Sequence, residues 1–254
     1  MQRLLFFIAI VCVGATVACG GGGSSSTTTS ASTAQGVYKG TSVSGSTTST
    51  FEAIILPDDR FYAVYGPDAG SGDGSFFVEG FITGQGASSG GHTYKVASLT
   101  DYFQGTPSLG SLSATFVAGS SVNGTITEAG LTSTFTGAPI PASTFNYNTP
   151  ASMSALAGVW TGGVIDGSMP ISSVNVAANG SFSGGWTGCS YSGTAVPNGS
   201  KNFFDVSMHF QGSGCLLNGQ TVTGAAVVSS TATGSQVLVA IATPSYGTVF
   251  IGSK

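Results

Sequence analysis

The chain has 254 residues, a formal net charge of −4 and 6 % charged residues, against 40 glycines and 41 % hydrophobic residues. Six Lys and Arg in all cannot neutralise a phosphate backbone or attract anionic lipid, which argues against nucleic acid as a partner and against a polybasic membrane contact. Phe, Tyr, Val and Ile alternate with Ser and Thr while Glu, Lys, Arg and Gln are scarce, so the low charge points to an all-β fold and not to disorder.

Met1-Gln2-Arg3 precedes an apolar run from Leu4 to Val13 and then Gly14-Ala15-Thr16-Val17-Ala18-Cys19. One positive charge, about ten apolar residues and a small residue before a cut have the form of a secretory signal. The run is shorter than the roughly 20 residues that a bilayer span needs. Val17-Ala18-Cys19 resembles the lipobox of bacterial lipoproteins, departing from it at Thr16, where that family carries an aliphatic residue. The resemblance implies cleavage after residue 18 and acyl chains such as palmitate on Cys19; the alternative is a plain secreted protein cut at Ala18. More than one chain at roughly 0.8 kcal/mol per buried methylene anchors a protein stably. Gly20 and not Asp follows the cysteine, which by the same resemblance implies the outer membrane of a Gram-negative cell. Residues 19–34 are rich in Gly, Ser and Thr and cannot bury enough apolar surface to offset their ordering entropy, so they are read as a tether.

Beyond the tether the chain runs through one layout twice, a first β unit over 35–138 and a second over 150–254. Gly36-Val37-Tyr38-Lys39-Gly40 recurs as Gly158-Val159-Trp160-Thr161-Gly162. An apolar strand, a polar turn and an aromatic follow in each, ending at Phe61 and Phe182. A third pair of landmarks aligns residues 123–127 with 218–223. Alternation and turn signals predict first-unit strands over 51–56, 61–65, 76–83, 93–99, 112–118, 122–128 and 131–136, with a hairpin tip over 66–74. Residues 139–149, polar and with two prolines, are read as a linker. Thr149-Pro150 then predicts a helix of at most two turns, capped by Thr149 and ended by Gly158. Second-unit strands are predicted over 158–163, 172–177, 181–186, 189–196, 202–210, 221–228, 236–242 and 246–251. Each unit is expected to be an antiparallel barrel or sandwich, with a closed barrel also removing sheet edges.

The short helix leading into Gly158-Val159-Trp160 resembles the start of calycin and lipocalin-like barrels. The whole layout resembles uncharacterised Gly/Ser-tethered Gram-negative outer-membrane lipoproteins with tandem β-barrel domains. That family implies a compartment and a shape, and no activity. With Cys12 lost in the signal and Cys19 acylated, Cys189 and Cys215 remain as a pair, predicted to form a disulfide in an oxidising compartment. The competing reading as a metal pair lacks any accompanying ligand cluster.

Candidates for chemistry are few. Gly86-Ala87-Ser88-Ser89-Gly90 matches the Gly-x-Ser-x-Gly elbow with His92 and Asp101 nearby, but a strand pattern follows where a helix is needed. His92 and His209 lack metal-ligand spacing. Asp68 and Asp73 among glycines cannot fill a calcium shell. Glu52 and Glu79 lie on strands, and nothing in the spacing places two carboxylates as a glycosidase needs. No catalytic residue, metal site or cofactor is therefore expected. The expectation is a non-enzymatic envelope lipoprotein presenting a β-barrel binding or structural module at the outer membrane. The alternative is a lipocalin-like carrier of a small apolar ligand, to be told apart by whether a barrel interior is open or filled.

Overall fold

The computed structural model describes residues 32–70, 75–103, 106–165, 171–231 and 234–254. The signal segment, Cys19, Asp73 and most of the tether lie outside these residues.

The first unit opens with a hairpin of β1 (Gly36–Ser44) and β2 (Thr47–Ile55), turned at Gly45. It continues through β3 (Arg60–Gly66), β4 (Gly80–Gln85), β5 (Ala87–Ser89), β6 (Thr93–Phe103), β7 (Thr106–Val117), β8 (Ser121–Glu128) and β9 (Leu131–Pro139). All neighbours pair antiparallel, β9 returns to β1, and β4 pairs with β6, closing an eight-stranded barrel. Strands β4 and β5 pair with successive stretches of β6, on either side of Gly86. Opposite this break β6 carries a bulge between Val96 and Leu99. The bulge bends the strand and switches which of its residues face inward.

The second unit begins with α1 (Met153–Leu156) and has eight strands. They are β10 (Gly158–Ile165), β11 (Ile171–Val176), β12 (Ser181–Trp186), β13 (Cys189–Pro197), β14 (Phe204–Gln211), β15 (Thr221–Thr231), β16 (Gly234–Thr243) and β17 (Tyr246–Ser253), with β17 closing on β10. The fold is thus two antiparallel barrels in tandem, as the strand pattern predicts. Cys189 and Cys215 are bonded, tying the start of β13 to the loop before β15.

The duplication is visible at single residues. Tyr38 donates to Ala34 O and Trp160 Nε1 donates to Leu156 O, each four residues back, so both aromatics plug a barrel end in the same way. Two residues later, Gly40 faces Gly137 and Gly162 faces Gly252 at the closing seam. A Cβ on Gly40 or Gly162 would sit 1.8 Å from a carbonyl oxygen of the opposite strand, so only glycine fits either seam. The third sequence landmark is not equivalent in the two units. Residues 123–127 lie within the seventh strand of the first barrel, whereas Asn218 and Gly219 lie in the turn before the sixth strand of the second. The Asn-Gly pair suits both a turn and a small-residue position on a strand, which is why it aligned.

Two other expectations change. The helix is a single turn, within the predicted limit, but Thr149 does not cap it; Ser152 holds the cap position, and Thr149 Oγ1 donates to Asn146 O. Lys254 completes the helix end: its ammonium donates to Ala155 O and Ala157 O and lies 4.3 Å from the Trp160 ring centroid. The strand predicted from residue 76 begins at Gly80, because residues 75–79 are irregular and tied back by an isolated Asp68–Phe76 bridge.

The barrels pack as one compact unit. Outward residues of the first barrel (Ile54, Leu56) meet Phe203 and Ala225 of the second, with Phe145 and Tyr147 from the connecting segment between them. A second cluster joins Val64, Phe81 and Tyr102 to Ala240 and Val249. The connection between units is therefore packed and not a free spacer. Arg60 Nη2 bonds Asp205 Oδ1 at 3.0 Å across the junction, and Tyr102 OH donates to Thr243 O. Burial works against the Arg60 charge, but Asp205 and Asp58 outweigh it and hold the guanidinium protonated.

Candidate functional site

The two barrel interiors differ. The second is filled: Trp160, Phe182, Tyr191, Met208, Phe210 and Phe250 leave a space of about 50 Å³. The first encloses a cavity of about 340 Å³, within the range of about 300–1,000 Å³ typical of small-molecule sites. Its walls include Phe51, Phe135, Leu112, Val122, Ile82 and Ile126. Inward positions Ala53 and Ala63 on β2 and β3 are small, which leaves the volume open.

One end is closed. Tyr38 and Tyr94 lie across it, and Tyr94 OH donates to Asp59 O at 2.8 Å. Tyr94 reaches there over Gly86, where a Cβ would meet the ring at 2.3 Å. Burial pushes both phenols up, so they stay neutral. Asp59, in the turn before β3, takes Ser88 N and Oγ on its carboxylate, and Ser88 Oγ accepts Ala34 N. At the opposite end the lining residues are Ser42, Ser44, Ser49, Ser108, Ser133 and the 72 % exposed Leu131, which form a polar mouth.

Toward that mouth stands an acid cluster. Asp101, 8 % exposed, points inward from β6, and Tyr65 OH donates to its two oxygens at 2.8 and 2.7 Å. Glu128, the last residue of β8, lies against the Asp101 carboxyl, while its buried Oε1 has no hydrogen-bond partner among the described residues. Two glycines make the cluster possible. Tyr65 crosses β4 over Gly80, whose Cβ would fall 2.3 Å from the ring. Glu128 crosses β7 over Gly110, whose Cβ would fall 2.5 Å from Glu128 Cγ. Burial, joined by repulsion from Asp101, pushes Glu128 up to about 7, and burial also raises Asp101 against its hydrogen bonds. The mutual contact favours keeping a proton between the two carboxyls. Tyr65 is raised by burial and by Asp101 and stays neutral.

The sequence candidates are otherwise scattered. Ser88 sits on β5, not on an elbow, and is committed to Asp59; His92 Nδ1 contacts Gly90 O at 2.7 Å. Asp101 does not join them, because it faces the cavity. His209 contacts Thr221 on the exterior, Asp68 caps Gly70 N, and Glu52 pairs with Lys39 at 2.9 Å. Among the described residues no three His, Cys, Asp or Glu side chains cluster as metal ligands. Glu128 escaped the sequence reading although the signal was there: Val122, Gly124, Ile126 and Glu128 alternate onto one face of a predicted strand. Asp101 was hidden by the bulge, which breaks the alternation of β6 between Val96 and Leu99.

No family model and no curated protein matches this sequence. Among solved structures the chain is similar to a DUF3598-family protein of unknown function from Nostoc punctiforme, at 9 % identity and a TM-score of 0.29. That likeness covers 87 % of this chain and 96 % of the other. It is also similar to the isotype 1 transferrin binding protein B of serogroup B Neisseria meningitidis, at 10 % identity and a TM-score of 0.24. There the coverage is 81 % of this chain and 65 % of the other. At these scores neither likeness bears on what the cavity holds.

Proposed function

We propose that the chain is a lipid-anchored, non-enzymatic protein of the outer membrane whose first barrel is a binding module and whose second is its structural support. The observation that carries the reading is the contrast between two barrels built on one plan, one filled and one with a cavity of about 340 Å³. Unfilled core volume costs on the order of 24 cal/mol per Å³, a standing penalty that selection for an occupant explains. The absence of catalysis is supported by the geometry of the candidates. Ser88 is held by Asp59, and Asp101 and Glu128 touch each other instead of flanking a gap of about 5 Å or more as glycosidase carboxyls do. Carriage of a small, mainly apolar ligand is the second reading, favoured by the aromatic and aliphatic walls deep in the cavity.

Two measurements test this. Cys19→Ser should move the protein from the membrane to the soluble fraction; if it stays membrane-bound, the anchor is wrong. Native mass spectrometry of the chain should show a co-purified small molecule that is lost when Ala53→Phe fills the cavity. Only apo masses, together with no thermal shift across a panel of apolar and amphiphilic compounds, would overturn the binding module.

A further inference from the structure

We propose that the first barrel takes an amphiphile tail-first and selects one with a cationic amine head, held against the Asp101–Glu128 pair near the mouth. The inference rests on the binding-module reading and names the ligand class for it.

Charge balance is the first argument. Among the described residues lining the cavity, Asp101 and Glu128 are the only charged side chains, with no Lys, Arg or His. A buried negative charge without a counter-charge is costly, and an ammonium group seated beside it removes that cost. Hydrogen-bond supply is the second. Tyr65 already donates to both Asp101 oxygens, whereas Glu128 Oε1 is buried and lacks a donor among the described residues. An ammonium group brings donors only, and so suits a site with acceptors left over. A carboxylate or phosphate head would repel the pair. A bare divalent cation lacks ligands, since two carboxyls are far from the six to eight oxygens calcium takes.

The cluster is also built, not incidental. Tyr65 and Glu128 reach Asp101 from β3 and β8 only because Gly80 and Gly110 leave the space on the strands between. The tail then has a defined place. The rings of Phe51 and Phe135 meet edge-on at 6.0 Å in the wall, and the Tyr38–Tyr94 floor limits depth. Tyr65 adds an aromatic ring beside the head, where a cation is favoured.

The test uses isothermal titration of the purified chain with three isosteric probes: 4-phenylbutylamine, 4-phenylbutanol and 4-phenylbutyrate. The amine should bind at least tenfold more tightly than the alcohol, and the carboxylate should not bind. Asp101→Asn and Glu128→Gln should each bring the amine-to-alcohol affinity ratio down toward one. Ala53→Phe should abolish binding of both, which ties the heat to the cavity. Equal affinity for amine and alcohol, or a ratio that survives both substitutions, would sink the cationic-head inference and leave the binding module standing. Failure of all three probes, with apo masses from native spectrometry, would sink both.

Discussion

Gly80 and Gly110 do work that no other residue could do at their positions. Each lies beneath a side chain that must cross it to reach Asp101, so a methyl group there meets an aromatic ring or a carboxylate stem at 2.3–2.5 Å. Gly110→Ala should therefore destabilise the protein by about 1–3 kcal/mol through forced displacement of Glu128, read from urea denaturation, and should weaken amine selectivity as well. The acid pair itself predicts a pH effect. The folded chain holds protons on Asp101 and Glu128 that the unfolded chain releases near about pH 4, and Glu128 keeps its own up to about 7. Their contribution is full below the unfolded value and is lost as pH rises through about 7. Tyr65 works against the shift, because its hydrogen bond favours the ionised Asp101, but burial outweighs it. The unliganded melting temperature should fall between pH 5 and pH 8 by a few degrees, and Glu128→Gln should flatten that dependence; an unchanged slope in the variant would show that the pair is not its source.

At the scale of elements, the sequence was legible wherever one face of a strand meets a core and the other meets water. In the second barrel all eight predicted strands appear, helped by Phe182, Tyr191, Val206 and Phe210, which recur at inward positions between polar neighbours. Legibility failed where a second physical demand overrode alternation. On β4 both faces are apolar, since Ile82 faces the interior while Phe81 packs on the other barrel. The arm before β4 is rich in Phe and reads as strand, yet it forms an isolated bridge, Phe76 to Asp68, instead of a ladder among the described residues, while Phe77 is exposed. The helix was found from Pro and Gly punctuation, but its cap was misplaced because Thr149 bonds backward to Asn146. The cysteine pair was legible by elimination, and it closes a loop with a sequence separation of 26. Replacing Cys189 and Cys215 together with Ser should cost about 2–4 kcal/mol on the loop-entropy argument. Since the bond lies in the second barrel, chemical denaturation should shift while amine selectivity at the first barrel holds.

At the scale of the molecule, the filled barrel has a mechanical reason to exist. Strand β6 carries Asp101 inward to the cavity and the next residue, Tyr102, outward into the second barrel, where its hydroxyl meets Thr243 O and its ring lies over Gly247. Val64, one residue before Tyr65, packs in the same junction. Two of the three cluster residues are thus fixed from behind by the neighbouring barrel, which supplies a rigid shell beside the open volume of the first. Coupling through so apolar a junction should make the barrels unfold together. Phe203, 2 % exposed at the junction, should cost about 3–5 kcal/mol when cut to Ala. Calorimetry of the wild type should show one transition. Adding 4-phenylbutylamine, which touches only the first barrel, should raise that whole transition by mass action. Two separate transitions, of which only one responds to the amine, would refute the bracing role and make the barrels independent domains that share a chain.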